Sequence, residues 1–413
     1  MILVPSHRQL LNGNRYLFLF GFFVFLGACS PKIISVPEKE NPAKEPTEKA
    51  IEVDKKSSSD NSIALILPFQ LDKIKNLSKS NKSDLSKADL AIDFYQGFKF
   101  ALDSLASKGF NFKLKVFDSQ NQETRIVNLA RANSVLENSL IIGPVFPNLI
   151  KTFGEFATLD KKVFISPLAA SIPSSNNANL VTINNTIDQH GWKIADFINR
   201  NYKPSDVNIL LINTQKSDDE KFAAPIRRFL KSLSNSKFVI VQKPNAIAIE
   251  SFLDPVKTNL VIITSSDPGF VSPIINRLNA LNKVNFNIEV FGHPNWIKLQ
   301  NMDIAKLQAL KTRLTSSYFL NNKDASVKHF ISRYRDEYNI APTEYAIKGF
   351  DTGYYFGKLL ALHGTDYVKY ITEETYQGLH NKFRFKRDEK LGYINTELML
   401  LQYQGFELRL QAP

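Results

Sequence analysis

From residue 61 onward, short unbroken apolar runs alternate with segments of helical periodicity, and this alternation limits the fold more than any other feature. NSIALILPF (61–69) ends at Pro68 and reads as a strand buried on both faces. In LAIDFYQGFKFALDSLASKG, Ile92, Tyr95, Phe98, Leu102 and Leu105 keep helical spacing, and Gly109 closes the helix. FKLKVFD (112–118), SLIIGPV (139–145) and KVFISP (162–167) are further strands, with helices expected over 122–138 and about 148–159. Such βαβα alternation predicts an α/β fold with a doubly wound parallel sheet. The plan then restarts. LVTIN (180–184), VNILLIN (207–213), KFVIVQ (237–242), NLVIITSS (259–266) and IEVFG (288–292) read as strands with helices between them. One of those helices holds Trp192, Ile194, Phe197 and Ile198. Two α/β lobes predict a cleft, and open sheets bind ligands outside the carboxyl ends of their strands.

The N-terminal segment has a different texture. YLFLFGFFVFLGACS (16–30) follows His7, Arg8 and Arg15. As a helix the run from Tyr16 to Ala28 is roughly 20 Å long, too short for a ~30 Å hydrocarbon core. That is the layout of a secretory signal peptide. Leu26-Gly27-Ala28-Cys29 resembles a bacterial lipobox, which implies cleavage before Cys29, the one cysteine of the chain, and lipidation of its sulfur. An uncleaved signal anchor or a chance cysteine is the alternative. Ser30 in place of an aspartate implies, by resemblance to enteric lipoproteins, an outer-membrane anchor facing the periplasm. Residues 30–60 carry four prolines, alternating Lys and Glu and no aromatic residue, too little apolar surface to fold. The expected layout is a signal peptide at 1–28 and a lipidated cysteine with a disordered tether at 29–60.

Charge and motifs narrow the chemistry. The formal charge of +12 suits either a solvated surface or an anionic envelope partner, and export excludes nucleic acid. No second apolar run is long enough to span a membrane. No G-x-S-x-G, H-E-x-x-H or P-loop is present, and the six histidines are scattered, so no enzyme, cofactor or metal is expected.

ALILPF, YQGFKFALDSL, LIIGPV and VFISPLAAS together resemble the type I periplasmic binding proteins, the superfamily of leucine/isoleucine/valine-binding proteins. Phe330, Tyr334, Tyr338, Pro342, Tyr345, Gly349 and Asp351 fill a stretch common in that superfamily, with Phe350 in place of its usual tyrosine. VFGHPNW (290–296) is similar to a branch of envelope lipoproteins, some of whose members bear peptidoglycan-binding LysM modules. The resemblance implies two lobes joined by three crossings in a hinged clamshell, with lobe 1 at 61–180 plus 320–380 and lobe 2 at 181–319 plus 381–413.

It also implies where a ligand would sit. An amino acid's carboxylate would meet groups after the third and fourth strands of lobe 1, here Phe146, Asn148, Ser166, Ala170 and Ser171. Phe146 and Pro147 depart from the small polar residues of the amino-acid binders, and Pro147 also suits the first turn of a helix. In lobe 2 the corresponding residues are Ser266, Asp267, His293, Asn295 and Trp296. Asp267 is equally a helix cap before Pro268, and His293 a structural histidine. In NKFRFKRDEK (381–390), a strand would bury Phe383 and Phe385 and turn Lys382, Arg384 and Lys386 outward, toward a polyanion, an acidic partner or only water. Two functions fit. One is a lipid-anchored solute-binding protein that captures an amino acid, peptide or sugar-like ligand for an ABC permease or a sensor. The other is a non-catalytic envelope regulator that touches peptidoglycan or a cell-wall synthase.

Overall fold

A computed structural model describes residues 61–73, 82–160, 162–169, 176–233, 238–299 and 301–411. The signal peptide, Cys29 and the tether lie outside these residues. Five strands open the described chain: β1 (Ser62–Leu67), β2 (Lys113–Asp118), β3 (Leu140–Ile142), β4 (Phe164–Ser166) and β5 (Leu180–Thr182). They form a parallel sheet in the order β2-β1-β3-β4-β5. β1 shows why. Ile63, Leu65 and Leu67 enter one apolar core, Ala64 and Ile66 another on the opposite face, as a period of two requires in a sheet covered on both sides.

Helices α1 (Lys82–Ala106), α2 (Glu123–Arg131), α3 (Asn133–Leu136) and α4 (Pro147–Phe156) fill the crossovers. The helix expected over 122–138 is broken at Ala132, whose backbone is extended.

The second sheet repeats the order. β6 (Val207–Ile212), β7 (Ile240–Lys243), β8 (Thr258–Ile263), β9 (Asn287–Phe291) and β10 (Arg313–Ser316) lie as β7-β6-β8-β9-β10. α5 (Ile187–Asn201), α6 (Ser217–Leu233), α7 (Pro268–Asn282) and α8 (Ile304–Ala309) flank it. The chain then returns to the first lobe with α9 (Ala325–Tyr338), α10 (Glu344–His363) and α11 (Tyr367–Tyr370). The hairpin strands β11 (Tyr376–Gln377) and β12 (Lys382–Phe383) follow, and then β13 (Phe385–Asp388) and β14 (Gly392–Asn395). β14 runs parallel beside β5, with β13 antiparallel at the edge. Finally β15 (Met399–Gln404) and β16 (Glu407–Leu410) close the second sheet beside β10. Each sheet has seven strands.

The lobe boundaries therefore differ from those expected. β5 completes the first sheet rather than starting the second, and β13 and β14 belong to lobe 1. The crossings fall near 183–186, 317–320 and 396–398. Asn395, fully buried, stitches them. Its Nδ2 donates to the Ile183 and Lys382 carbonyls at 3.0 and 2.9 Å. Its Oδ1 accepts from the Arg384 and Glu397 N–H groups, both at 3.1 Å. Its own carbonyl accepts from Asn185 Nδ2 and Gln189 Nε2. Asn381 Nδ2 adds the middle crossing by donating to the Ser317 carbonyl at 3.2 Å.

Lobe 1 depends on unusually close contact between α1 and α10. An ideal Cβ on Gly97 would lie 1.8 Å from the Ala346 carbonyl oxygen, and one on Gly349 would lie 2.1 Å from that of Phe94. The Phe330–Tyr338 motif is scaffold. Phe330, Tyr334, Tyr338 and Phe350 all pack around Phe100, with ring centroids about 6 Å from it. Among the described residues no helix is long and apolar enough to cross a membrane.

Candidate ligand cleft

A cleft of about 440 Å³ lies between the carboxyl ends of the two sheets. Residues after β3, β4 and β5 line it from lobe 1, and residues after β9 and at β10 line it from lobe 2. Phe146 and Asn295 are on its wall. Phe146 is the half-buried N-cap of α4, with Pro147 at N1, and it packs on both lobe 1 cores without filling the cleft.

The other residues anticipated from the sequence stand elsewhere. Asn148 is exposed in the first turn of α4, and Ser166 is buried within β4. Ser266 is half-buried, and Asp267 caps α7 by accepting from the Gly269 N–H at 3.0 Å. His293 caps the 3₁₀ turn at Pro294–Lys298, and its ring packs edge-on to Phe222 at 4.9 Å. Trp296 is no wall for a ligand. It is 1% exposed in the lobe 2 core and donates its indole N–H to the Ser265 carbonyl at 2.8 Å. Gly292 belongs to the same arrangement, because a Cβ there would meet the indole at 2.4 Å. Ala170 and Ser171 lie outside the described residues. Phe383 and Phe385 are buried and Arg384 and Lys386 exposed, but this strand pair is on lobe 1, and Arg384 is paired with Glu397 at 3.0 Å.

Groups absent from the expected set supply the cleft's chemistry. Glu344 is the first residue of α10, whose N-cap Thr343 accepts from the Ala346 N–H. Lys348, one turn on, pairs with Glu344. Its Nζ also lies 4.3 Å from the centre of the Tyr318 ring, which is stacked on His380 at 4.5 Å. Lys298 reaches Glu344 from the other lobe at 4.0 Å. Burial alone would raise the Glu344 carboxyl, but Lys348 and then Lys298 outweigh it and hold it below the usual range. Burial lowers Lys348, with Glu344 opposing. Asn184 and Asn185, just past β5, add two buried amides. A strand end at β5 was legible. It pointed to these two asparagines once the strand was placed in lobe 1.

Asp351 holds the hairpin that carries His380. Its buried carboxylate accepts from the Leu379, His380 and Asn381 N–H groups at 2.8–3.0 Å. Burial nevertheless pushes its carboxyl up to about 6. Among the described residues no cluster of His, Cys, Asp or Glu could hold a metal.

Two buried histidines, His190 and His380, and the half-buried His293 make the fold acid-sensitive. Burial drives His190 down to about 3 and His293 and His380 to about 4, from 6.5. Between those values the unfolded chain binds protons that the native state refuses. Their stabilisation is complete above pH 6.5 and is lost as pH falls toward 4, at up to about 1.4 kcal/mol per pH unit for each group. Asp351 opposes this between pH 6 and 3.8, because its native carboxyl takes a proton first. Urea melts at pH 7.5 and 5.5 should show a net loss at the lower pH. His190→Gln should make that loss smaller, and an unchanged loss would remove His190 from the account.

No protein-family model and no curated protein matches the sequence. Solved structures do match in shape. A protein described as a branched-chain amino acid ABC transporter from Rhodospirillum rubrum superposes with a TM-score of 0.64 at 15% identity, over 85% of this chain and 99% of that one. The chain has the two-lobed fold of the type I periplasmic binding proteins. The C-domain of LpoA from Haemophilus influenzae, described as a regulator of PBP1A, gives a TM-score of 0.55 at 12% identity, over 85% and 100% of the two chains. Against full-length LpoA the score is 0.56 at 12% identity, with 86% of this chain matching 60% of that one. The fold thus serves ABC transporter proteins and a regulator alike.

Proposed function

We propose that this protein captures a small polar ligand between its lobes at the periplasmic side of the envelope, held there through a lipidated Cys29. The cleft carries the reading. It stands at the carboxyl ends of both sheets, where α/β folds bind ligands. Its size falls within the few hundred to thousand Å³ of small-molecule sites. Its polar groups converge from both lobes. Delivery to an ABC permease or a sensing partner would follow capture. No catalytic step is part of this reading.

A ligand that binds only the folded state stabilises it by RT ln(1 + [L]/Kd), about 2.7 kcal/mol at a hundredfold excess over Kd. Native mass spectrometry of the full chain in detergent should find a co-purified small molecule, or a metabolite screen should raise Tm by several degrees. The absence of both would sink solute capture. For the anchor, Cys29→Ser should release the protein from membranes and abolish labelling by radioactive palmitate. Retained label would refute it.

A second reading rests on the exposed cations of the β13 edge, Lys386 and Arg387, next to Arg384 and Lys382. With the same fold as the LpoA C-domain, they suit an envelope regulator that docks on peptidoglycan or a cell-wall synthase. Envelope crosslinking that recovers no cell-wall component would remove this reading.

A further inference from the structure

The cleft sets two cations against one carboxylate. Lys348 and Lys298 share Glu344, and no other acidic side chain is among the described lining residues. The two lysines differ in their surroundings. Lys298 keeps 60% of its side chain exposed, whereas Lys348 keeps 8%. A buried ammonium is costly unless paired, and it has three protons to place. Glu344 accepts one of them, and the Tyr318 ring faces the ammonium without accepting a conventional hydrogen bond.

Asn184 and Asn185 offer no second seat. Asn184 Nδ2 donates to the Leu168 carbonyl at 2.6 Å and Asn185 Nδ2 to the Asn395 carbonyl at 2.9 Å, while each Oδ1 is shut off from the open space of the cleft.

We infer that the ligand of this cleft carries a free carboxylate seated against Lys348 and Lys298, and no cationic group. That is the chemistry of an N-acylated amino acid or an N-blocked short peptide. A free amino acid fits less well. Its ammonium would need a carboxylate of its own, and Glu344 already serves two cations. A cationic amine would face the uncompensated charge. The carboxylate end also bridges the lobes, because Lys298 and Lys348 come from opposite sides of the cleft.

This inference rests on solute capture, and one experiment separates the two. The full chain in detergent is mixed with a library of N-acetyl dipeptides, once as free acids and once as methyl esters, and with free leucine. Retention is read by native mass spectrometry and affinity by calorimetry. The free acids should bind at least about tenfold more tightly than their esters, because each ester leaves a buried charge uncompensated. Lys348→Met should abolish that preference, and Lys298→Ala, at an exposed position that should not disturb folding, should reduce it. Esters that bind as tightly as acids, or leucine that binds better than both, would overturn this inference while leaving capture intact. If nothing in the panel binds and nothing co-purifies, the inference and solute capture fall together.

Discussion

Replacing Gly97 by valine should leave lobe 1 unable to fold. The Cβ alone would lie 1.8 Å from the Ala346 oxygen, 2.6 Å from its carbonyl carbon and 2.9 Å from its Cα. All three are backbone atoms of α10, so no side-chain rotation relieves the clash. The helices must move apart, yet between them they bury Phe94, Phe98, Tyr355 and Phe356 in the same core. Fully burying one such side chain is worth about 1.5–3 kcal/mol, and separating the helices loosens several at once. A cost above about 4 kcal/mol is expected, a large share of the 5–15 kcal/mol that holds a typical domain together. Insoluble expression or a fall in Tm of at least about 8 °C would agree with this, taking about 2 °C per kcal/mol. Gly269→Ala is the matched control. Its nearest neighbour is a side-chain oxygen at 3.4 Å in the first turn of α7, so stability should stay within about 1 kcal/mol. Equal melting of the two variants would refute the close-contact account.

Asn395→Ala should cost about 4 kcal/mol or more. The side chain satisfies two carbonyls and two N–H groups drawn from three separate segments. Its loss strands one buried and three part-buried backbone groups, each penalised by about 1–3 kcal/mol, less whatever water recovers. Asn395→Asp distinguishes geometry from volume. It keeps both acceptances, loses both donations and buries a charge, so it should be at least as damaging despite its identical shape. Chemical denaturation of the three proteins settles the order, and an aspartate variant close to the parent would mean that the donations contribute little.

Much of the architecture was legible because it follows from period and burial. β1, β6 and β8 each hold an apolar run of four or more residues since both faces of each sheet are covered, and each was found within three residues of its limits. The stripe on α1 was less faithful. Ile92 keeps the helical spacing but is 40% exposed, while Ala91, Phe94 and Ala101 are the buried residues nearby. α1 is buried by the sheet and also by α10, and the second contact runs through Gly97, which no hydrophobic count registers. The lobe boundary was misplaced for a related reason. β5 precedes a crossing rather than following one, and a strand's sequence does not name its sheet.

The cleft was least legible. Lys348 sits between Ile347 and Gly349 on the buried face of a helix, an anomaly that sequence displays without a partner. Its surroundings come from Tyr318 and from Lys298 on the other lobe, which only the folded chain assembles. Trp296 was misleading because an aromatic residue at a strand end serves packing as readily as binding, whereas Asp267 takes the capping role that its place before Pro268 pointed to.

The return of the chain to each lobe also sets a schedule for its synthesis. Made from the amino end, lobe 2 acquires its five parallel strands by residue 316 but leaves the outer edge of β10 bare. β5 is equally uncovered until β14 arrives. Residues 385–410 then cap both edges in succession. An open edge is a template for pairing with another chain. A molecule cut before this stretch therefore bares the margins of β5 and β10, which in the complete sheets are paired with β14 and β15.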